Sequence, residues 1–364
     1  MSSNRVSVSS IPSGCESWAG TVFVFLSAFF YGVSNTTMRC LTDYQLDADW
    51  ILFYKELIGF VILLPWVFLR FFQGRFRLIS RRLIIYIVVA AVICEFIGAH
   101  LQVLGYAIIG LVVTVPLIQS ATLIGVAILG RYFLGDFLSN RRKIAIGILV
   151  FAVVLLSVGK TLTVQSNGNQ NSGSLFILIA SGAVIAGIAY SIYVVLLRYT
   201  VRKYWNDGNS VWQFFQFTKW AGFDLPAQDI DPSNGQLREV RCYAPFPVTL
   251  MMCIILGVGV LIFGACIWGK GGVAGFYTAP AVVWYIIPIA GLSNVVGFFC
   301  QIQGLRMTSA VHAALIGVSQ MIFLSVVGLI FFKEPINFVV MSGLMLTAYG
   351  VIISAKPENN QSKN

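Results

Sequence analysis

Apolar residues run through this chain in long blocks with few polar positions. Ten such stretches lie near 18–38, 51–69, 83–104, 108–130, 142–159, 174–197, 247–268, 280–302, 309–332 and 336–354. A helix takes about 20 apolar residues to cross the hydrocarbon core of a bilayer. The pattern therefore predicts ten transmembrane helices, joined mostly by short polar turns. The exception is 198–246, which carries Asn206-Asp207-Gly208, several prolines and mixed charge. It reads as a loop with room for one surface helix. Its aromatics (Trp205, Trp212, Phe214, Phe215, Phe217 and Trp220) suit a membrane interface.

Composition sharpens this picture. Of 364 residues, 58% are apolar and only 10% charged. An ordinary soluble domain carries roughly 25% charge, so a soluble enzyme is excluded. A disordered chain is excluded as well, since disorder needs low hydrophobicity. The first 17 residues are polar, have no apolar core of their own and lead straight into the first span. They predict no cleaved signal peptide, with the first helix as the insertion signal. The seven cysteines form no CxxC pair, and most lie in apolar runs as small hydrophobes. There is no HExxH, GxSxG or Walker A run, and two histidines make no typical metal site. No cofactor, no metal and no catalytic residue are expected.

The net charge of +10 is distributed by side. With the N-terminus placed in the cytoplasm, nineteen Lys and Arg fall on cytoplasmic segments and four (Arg39, Lys160, Lys270 and Lys333) on outer ones. Such a bias sets orientation, and both termini are expected to be cytoplasmic. It also accounts for the positive charge without nucleic acid. The first outer loop is acidic, with Asp43, Asp47 and Asp49.

The halves repeat one another. Glu95-x2-Gly98-x3-Gln102-x2-Gly105 in the third span returns as Asn294-x2-Gly297-x3-Gln301-x2-Gly304 in the eighth. Tyr31 and Arg39 correspond to Tyr190 and Arg198, and Asp136 to Glu334 in equivalent joints, where helix capping is the better reading. Five spans per repeat force the second to enter the membrane upside down. The expected fold is thus an all-α integral membrane protein of ten transmembrane helices in two inverted five-helix repeats. Its parts are a tail at 1–17, a first repeat at 18–160, an outer linker at 161–173, a second repeat at 174–356 with a cytoplasmic insertion at 201–246, and a tail at 357–364. Inverted repeats are a device of secondary transporters, which rock two halves around a site near the midplane.

These residues also carry a resemblance. Tyr31-Gly32 followed by Arg39, then LGDFLSNRRKIAIGILVFAVVLLS at 134–157, is echoed by AYSIYVVLLR at 189–198 and FFKEPINFVVMSGLMLTAYGVIIS at 331–354. The order and spacing resemble the drug/metabolite transporter superfamily, in particular its branch with two EamA domains. The resemblance implies a ten-helix bundle and the export or exchange of small metabolites or amino acids.

Ionisable groups inside spans cost roughly 2.5–3.5 kcal/mol each and usually face the protein interior or water. Glu95 and Gln102 are seven apart and read as one helix face, repeated by Asn294 and Gln301. The two faces would line a cavity, with Glu95 exchanging a proton or binding a cation; an inter-helix hydrogen-bond role is the alternative. Lys55 and Glu56 are adjacent, so about 100° apart on the helix, and are not expected to share a groove. Lys55 either binds an anionic group or reaches an outer or acidic partner. Their counterparts in the seventh span are Cys253 and Ile254, so this charge belongs to one half only. His312, with Ser319 and Gln320, forms a polar stripe; Gln119 and Asn35 are further lining candidates. His100 is expected to face elsewhere. Tyr31, Tyr190 and Trp284 are candidate stacking aromatics.

The function expected is secondary transport of a small polar metabolite, such as an amino acid or amine, by alternating access, with export or proton/substrate exchange as its mode. The alternatives are a flippase or transporter for lipid-linked or nucleotide-linked sugars, a membrane-embedded enzyme, and a scaffold or sensor acting through the long loop. The partners expected are a small-molecule substrate, membrane lipids and coupling protons, with a homodimer left open. No plausible sequon lies in an outer loop, which points to a bacterial inner membrane.

Overall fold

The structure is a computed structural model that describes residues 15–44, 46–72, 81–134, 140–165, 172–206, 228–230, 237–239, 245–270, 280–332 and 338–355. Asp136, Glu334, most of the long loop and both tails lie outside these residues.

Helix follows from the apolar blocks because hydrocarbon offers the backbone no hydrogen-bond partner, and a helix satisfies its own N–H and C=O groups. The first half comprises α1 (Cys15–Asp43), α2 (Ala48–Phe72) and α3 (Arg81–Val92). The third helix passes without a break through a π-helical segment, Ile93–Ala99, into α4 (His100–Ile108). Next come α5 (Leu111–Leu129), a second π segment at Gly130–Leu134, and α6 (Asn140–Gln165). The second half comprises α7 (Ser172–Asn206), α8 (Pro245–Gly269), α9 (Ala281–Met307), α10 (Ala310–Gly317), α11 (Ser319–Ile330) and α12 (Phe338–Ala355). Two short strands, β1 (Gln228–Ile230) and β2 (Leu237–Glu239), pair antiparallel in the long connection after α7.

Eight stretches among the described residues are long and apolar enough to cross a membrane: Trp18–Asp43, Ala48–Leu69, Arg82–Ile108, Val113–Leu134, Ala180–Val201, Val248–Gly269, Ala281–Met307 and Ala310–Ile330. The other two predicted spans fall on α6, which holds a shorter apolar run at Lys143–Ala152, and on α12. The expectation differs in detail, most clearly at two places. The span predicted at 309–332 is two helices meeting at Val318, and α7 runs on to Asn206, well past the predicted end at 197.

The most extensive pairings join the two halves of the chain. α1 lies along α9, α2 along α8, α5 along α7 and α6 along α12, while α7 also packs on α3, the first π segment and α4. Small residues permit these approaches, as is usual where helices associate in lipid. At the α5–α7 crossing a Cβ on Gly187 would stand 2.4 Å from the Ile118 carbonyl oxygen, and Thr122 Oγ1 donates to the Gly187 carbonyl at 3.0 Å. The α4–α5 joint is equally tight. Gly110 turns it with φ of 82°, a conformation that a side chain resists, and its carbonyl accepts from Thr114 Oγ1 at 2.7 Å.

Candidate functional site

Glu95 and Asn294 mark the centre of the bundle. Each lies midway along its span, Arg82–Ile108 for Glu95 and Ala281–Met307 for Asn294. α2 brings Lys55 and Glu56 to the same depth. Lys55 Nζ stands 2.7 Å from Glu56 Oε1, and Asn294 Nδ2 donates to that same oxygen at 3.4 Å. All four residues are buried, Glu56 completely. The second oxygens of Glu56 and Glu95 are buried without a hydrogen-bond partner.

Lys55 and Glu56 thus do share a groove, contrary to the helical-wheel expectation. A wheel places Cβ atoms, whereas the four-carbon lysine stem swings its ammonium across the intervening angle. Gly259 of α8 supplies the space. A Cβ there would meet Glu56 Cγ at 2.9 Å and Glu95 Cγ at 3.4 Å, so the stems of both carboxylates converge over this glycine. Cys94, adjacent to Glu95, is buried too.

The charge balance of the cluster does not close. One lysine faces two carboxylates, and a net charge in an apolar interior is costly. A proton on the carboxyl pair or a cation beside it would make the site neutral.

Gln102 departs from Glu95. It donates to Asn35 Oδ1 at 3.2 Å and to the Tyr106 hydroxyl, and accepts from the Tyr190 hydroxyl. Glu95 instead faces α2 and α8. The cause is the π segment: i→i+5 bonding acts like one residue inserted into the helix and shifts the phase by roughly 100°. Gln301 accepts from the Tyr31 hydroxyl at 2.7 Å. The two tyrosine–glutamine bonds are counterparts, Tyr31 to Gln301 and Tyr190 to Gln102, and each crosses between the halves. Their glycines act alike. A Cβ on Gly98 would stand 3.1 Å from the Tyr190 ring, and one on Gly297 would stand 3.0 Å from the Tyr31 ring. These glycines seat aromatic rings.

The remaining candidates form pairs away from the central cluster. Gln119 Nε2 donates to Gln320 Oε1 at 3.1 Å, linking α5 to α11. His312 Nε2 lies 3.1 Å from Thr21 Oγ1, and the helix break at Val318 separates His312 from Ser319 and Gln320. His100 faces elsewhere, as expected, with Nδ1 3.1 Å from Asp49 Oδ1. Trp284 packs edge-on against Tyr54. Three buried residues were missed from sequence: Gly259, Tyr193 and Gln303. Tyr193 has an unpartnered hydroxyl, and neither amide atom of Gln303 has a partner. Only Gln303 carries a visible signal, as a second polar residue beside Gln301 in an apolar run.

A second ion cluster lies at one end of the bundle. Lys270, just past α8, reaches Asp47 at 2.9 Å and Asp49 at 2.6 Å, tying the start of α2 to the end of α8. Burial pushes the Asp47 carboxyl up, but hydrogen bonds from Lys270 and the Asp49 amide outweigh it and hold the group below its ordinary value. The same bonds to Asp49 and Asp47 raise Lys270 above the usual lysine range.

A bundle of apolar helices with ionisable groups sealed at its middle defines an integral, multi-pass membrane protein. The profile of the EamA-like transporter family matches residues 18–158 and again 238–355. The chain belongs to that family, a branch of the drug/metabolite transporter superfamily, and is a membrane transporter. No curated protein sequence matches it. One protein of known crystal structure is similar over 93% of this chain and 96% of its own, with a TM-score of 0.56 and 10% identity, a likeness of fold alone.

Proposed function

We propose that this protein is a secondary transporter that moves a small polar metabolite, such as an amino acid or amine, by alternating access, with proton exchange at the central carboxylates. The observation that carries this reading is the buried Lys55–Glu56–Glu95–Asn294 cluster, built from both halves at mid-span. Its unbalanced carboxylate calls for either a proton or a cationic group of the solute. Competition between the two would couple their movements. The two family matches, the second of which begins after α7, support a repeated architecture, and the counterpart tyrosine–glutamine bonds extend the correspondence to α7, in keeping with two five-helix repeats of opposite orientation. The lysine and arginine bias supports cytoplasmic termini. In that orientation the Lys270 pairs hold the outer end shut. Export, and residence in a bacterial inner membrane, complete the proposal.

Flux into sealed proteoliposomes, with and without an imposed pH gradient, tests it against a panel of amino acids and amines. A gradient should accelerate one or more solutes in the native protein, and Glu95→Gln should abolish the acceleration. Equal flux in both proteins, indifferent to pH, would make Glu95 structural.

A further inference from the structure

The outer surface of the bundle carries a groove that the transport reading does not use. It has a volume of about 800 Å³ and lies between the C-terminal part of α5, its π segment and the start of α6. Ile124, Ile128, Arg131, Tyr132, Lys143 and Ile146 line it.

Its polarity is graded along the helix axis. Ile124 and Ile128 are one turn apart on α5, and Arg131 and Tyr132 follow one turn later. On α6, Lys143 lies nearer the helix start and Ile146 one turn further in. Both cations therefore sit at one end of the groove. The apolar wall runs roughly 10 Å from them along α5, at 1.5 Å per residue. Ile128 is 54% and Tyr132 84% exposed, so on a membrane-spanning helix this wall faces lipid. The nearest described polar partner of Lys143 is Asn140 Oδ1 at 3.4 Å, and among the described residues neither Lys143 nor Arg131 is in an ion pair. A tyrosine at such a boundary is typical of headgroup depth.

We infer that this groove binds one anionic glycerophospholipid. Arg131 and Lys143 hold the headgroup phosphate, and an acyl chain lies along Ile124, Ile128 and Ile146. A zwitterionic lipid offers the same chain, but its own ammonium offsets the attraction to the cations. Basic pockets between membrane helices recognise acidic headgroups on this principle.

Native mass spectrometry of the purified full chain tests the inference. The protein would be equilibrated with palmitoyl-oleoyl phosphatidylglycerol, palmitoyl-oleoyl phosphatidylcholine or both. The native protein should retain one phosphatidylglycerol in preference to phosphatidylcholine by about tenfold or more. R131Q/K143Q should lose the preference while keeping the native unfolding temperature in phosphatidylcholine. The single variants R131Q and K143Q should each lose part of it, and they serve if the double variant does not fold. Arg131→Lys should retain most of it. Equal retention of the two lipids by the native protein, or undiminished phosphatidylglycerol binding in the glutamine variants, would overturn the inference. Displacement of the lipid by millimolar inorganic phosphate would also overturn it, by making the site one for free phosphate. Lipid retention is read without solute flux, so failure here leaves the transport proposal untouched.

Discussion

Two clusters beside α2 each set one lysine against two carboxylates, one sealed at mid-bundle and one half open to water. At mid-bundle Lys55 pairs with Glu56, with Glu95 nearby and all three buried; at the end of the bundle Lys270 pairs with Asp47 and Asp49, with Lys270 54% and Asp47 42% exposed and Asp49 buried. At the rim, water and salt reach Lys270 and Asp47, where such a pair contributes little, while Asp49 stays buried beneath them. At the centre, only a proton or a bound cation can complete the charge balance. The same composition therefore makes a latch in one place and a vacancy for charge in the other.

The sharpest way to break this comparison is to remove each lysine in turn. Lys55→Met leaves two buried carboxylates with no cation and should destabilise the protein by about 3–5 kcal/mol. The double variant Lys55→Met/Glu56→Gln should recover much of that loss. Thermal unfolding in detergent measures both, and no recovery in the double variant would mean that the pair is not the source of the cost. Gly259→Ala comes next. It forces a methyl against Glu56 and Glu95 and should cost about 1–3 kcal/mol by overpacking, with a parallel loss of flux. Lys270→Gln leaves the buried Asp49 carboxylate beside His100 without its lysine and should cost about 1–3 kcal/mol, of which raising salt to 1 M should erase only the exposed Asp47 part. Complete loss of the difference in 1 M salt would place Asp49 in a wetter setting than the structure gives it.

The smallest effect is that of pH. Because the folded-state value of Asp47 is depressed, its contribution is present above the ordinary carboxylate range and is lost as pH falls through the folded value. The stability gap between native protein and Lys270→Gln should therefore narrow between neutral pH and about pH 3. A gap that widens on acidification would contradict the assignment.

The helices were legible in the sequence because hydrocarbon demands uninterrupted apolar runs. Glu95, Asn294, Lys55 and Glu56 stood out because charged or amide groups are rare there. Their partners were not legible. Helical spacing put Glu95 and Gln102 on one face, but the π segment at Ile93–Ala99 adds a phase shift that no periodicity displays. The wheel separated Lys55 from Glu56 because it takes no account of side-chain length. Gly98 and Gly297 were visible as a repeated pair, but that each seats a tyrosine from the other half is known only once the halves meet. Gly259 looked like one more glycine among the 34 in the chain.

The Tyr31–Gln301 and Tyr190–Gln102 bonds have a consequence for how such a chain could arise. The tyrosine hydroxyl of each half is satisfied by the glutamine carbonyl of the other. A single half in the bilayer would hold a donor and an acceptor unanswered by each other, and two copies would answer both. The smallest self-sufficient unit is therefore a pair, and an ancestral gene for one half would have had to assemble with itself. Within one chain the two halves meet at an effective concentration fixed by the linker instead of by expression. Halves joined in one chain need not be identical, and the Lys55–Glu56 pair in one half, opposite Cys253 and Ile254 in the other, is a difference that an assembly of like subunits could not keep.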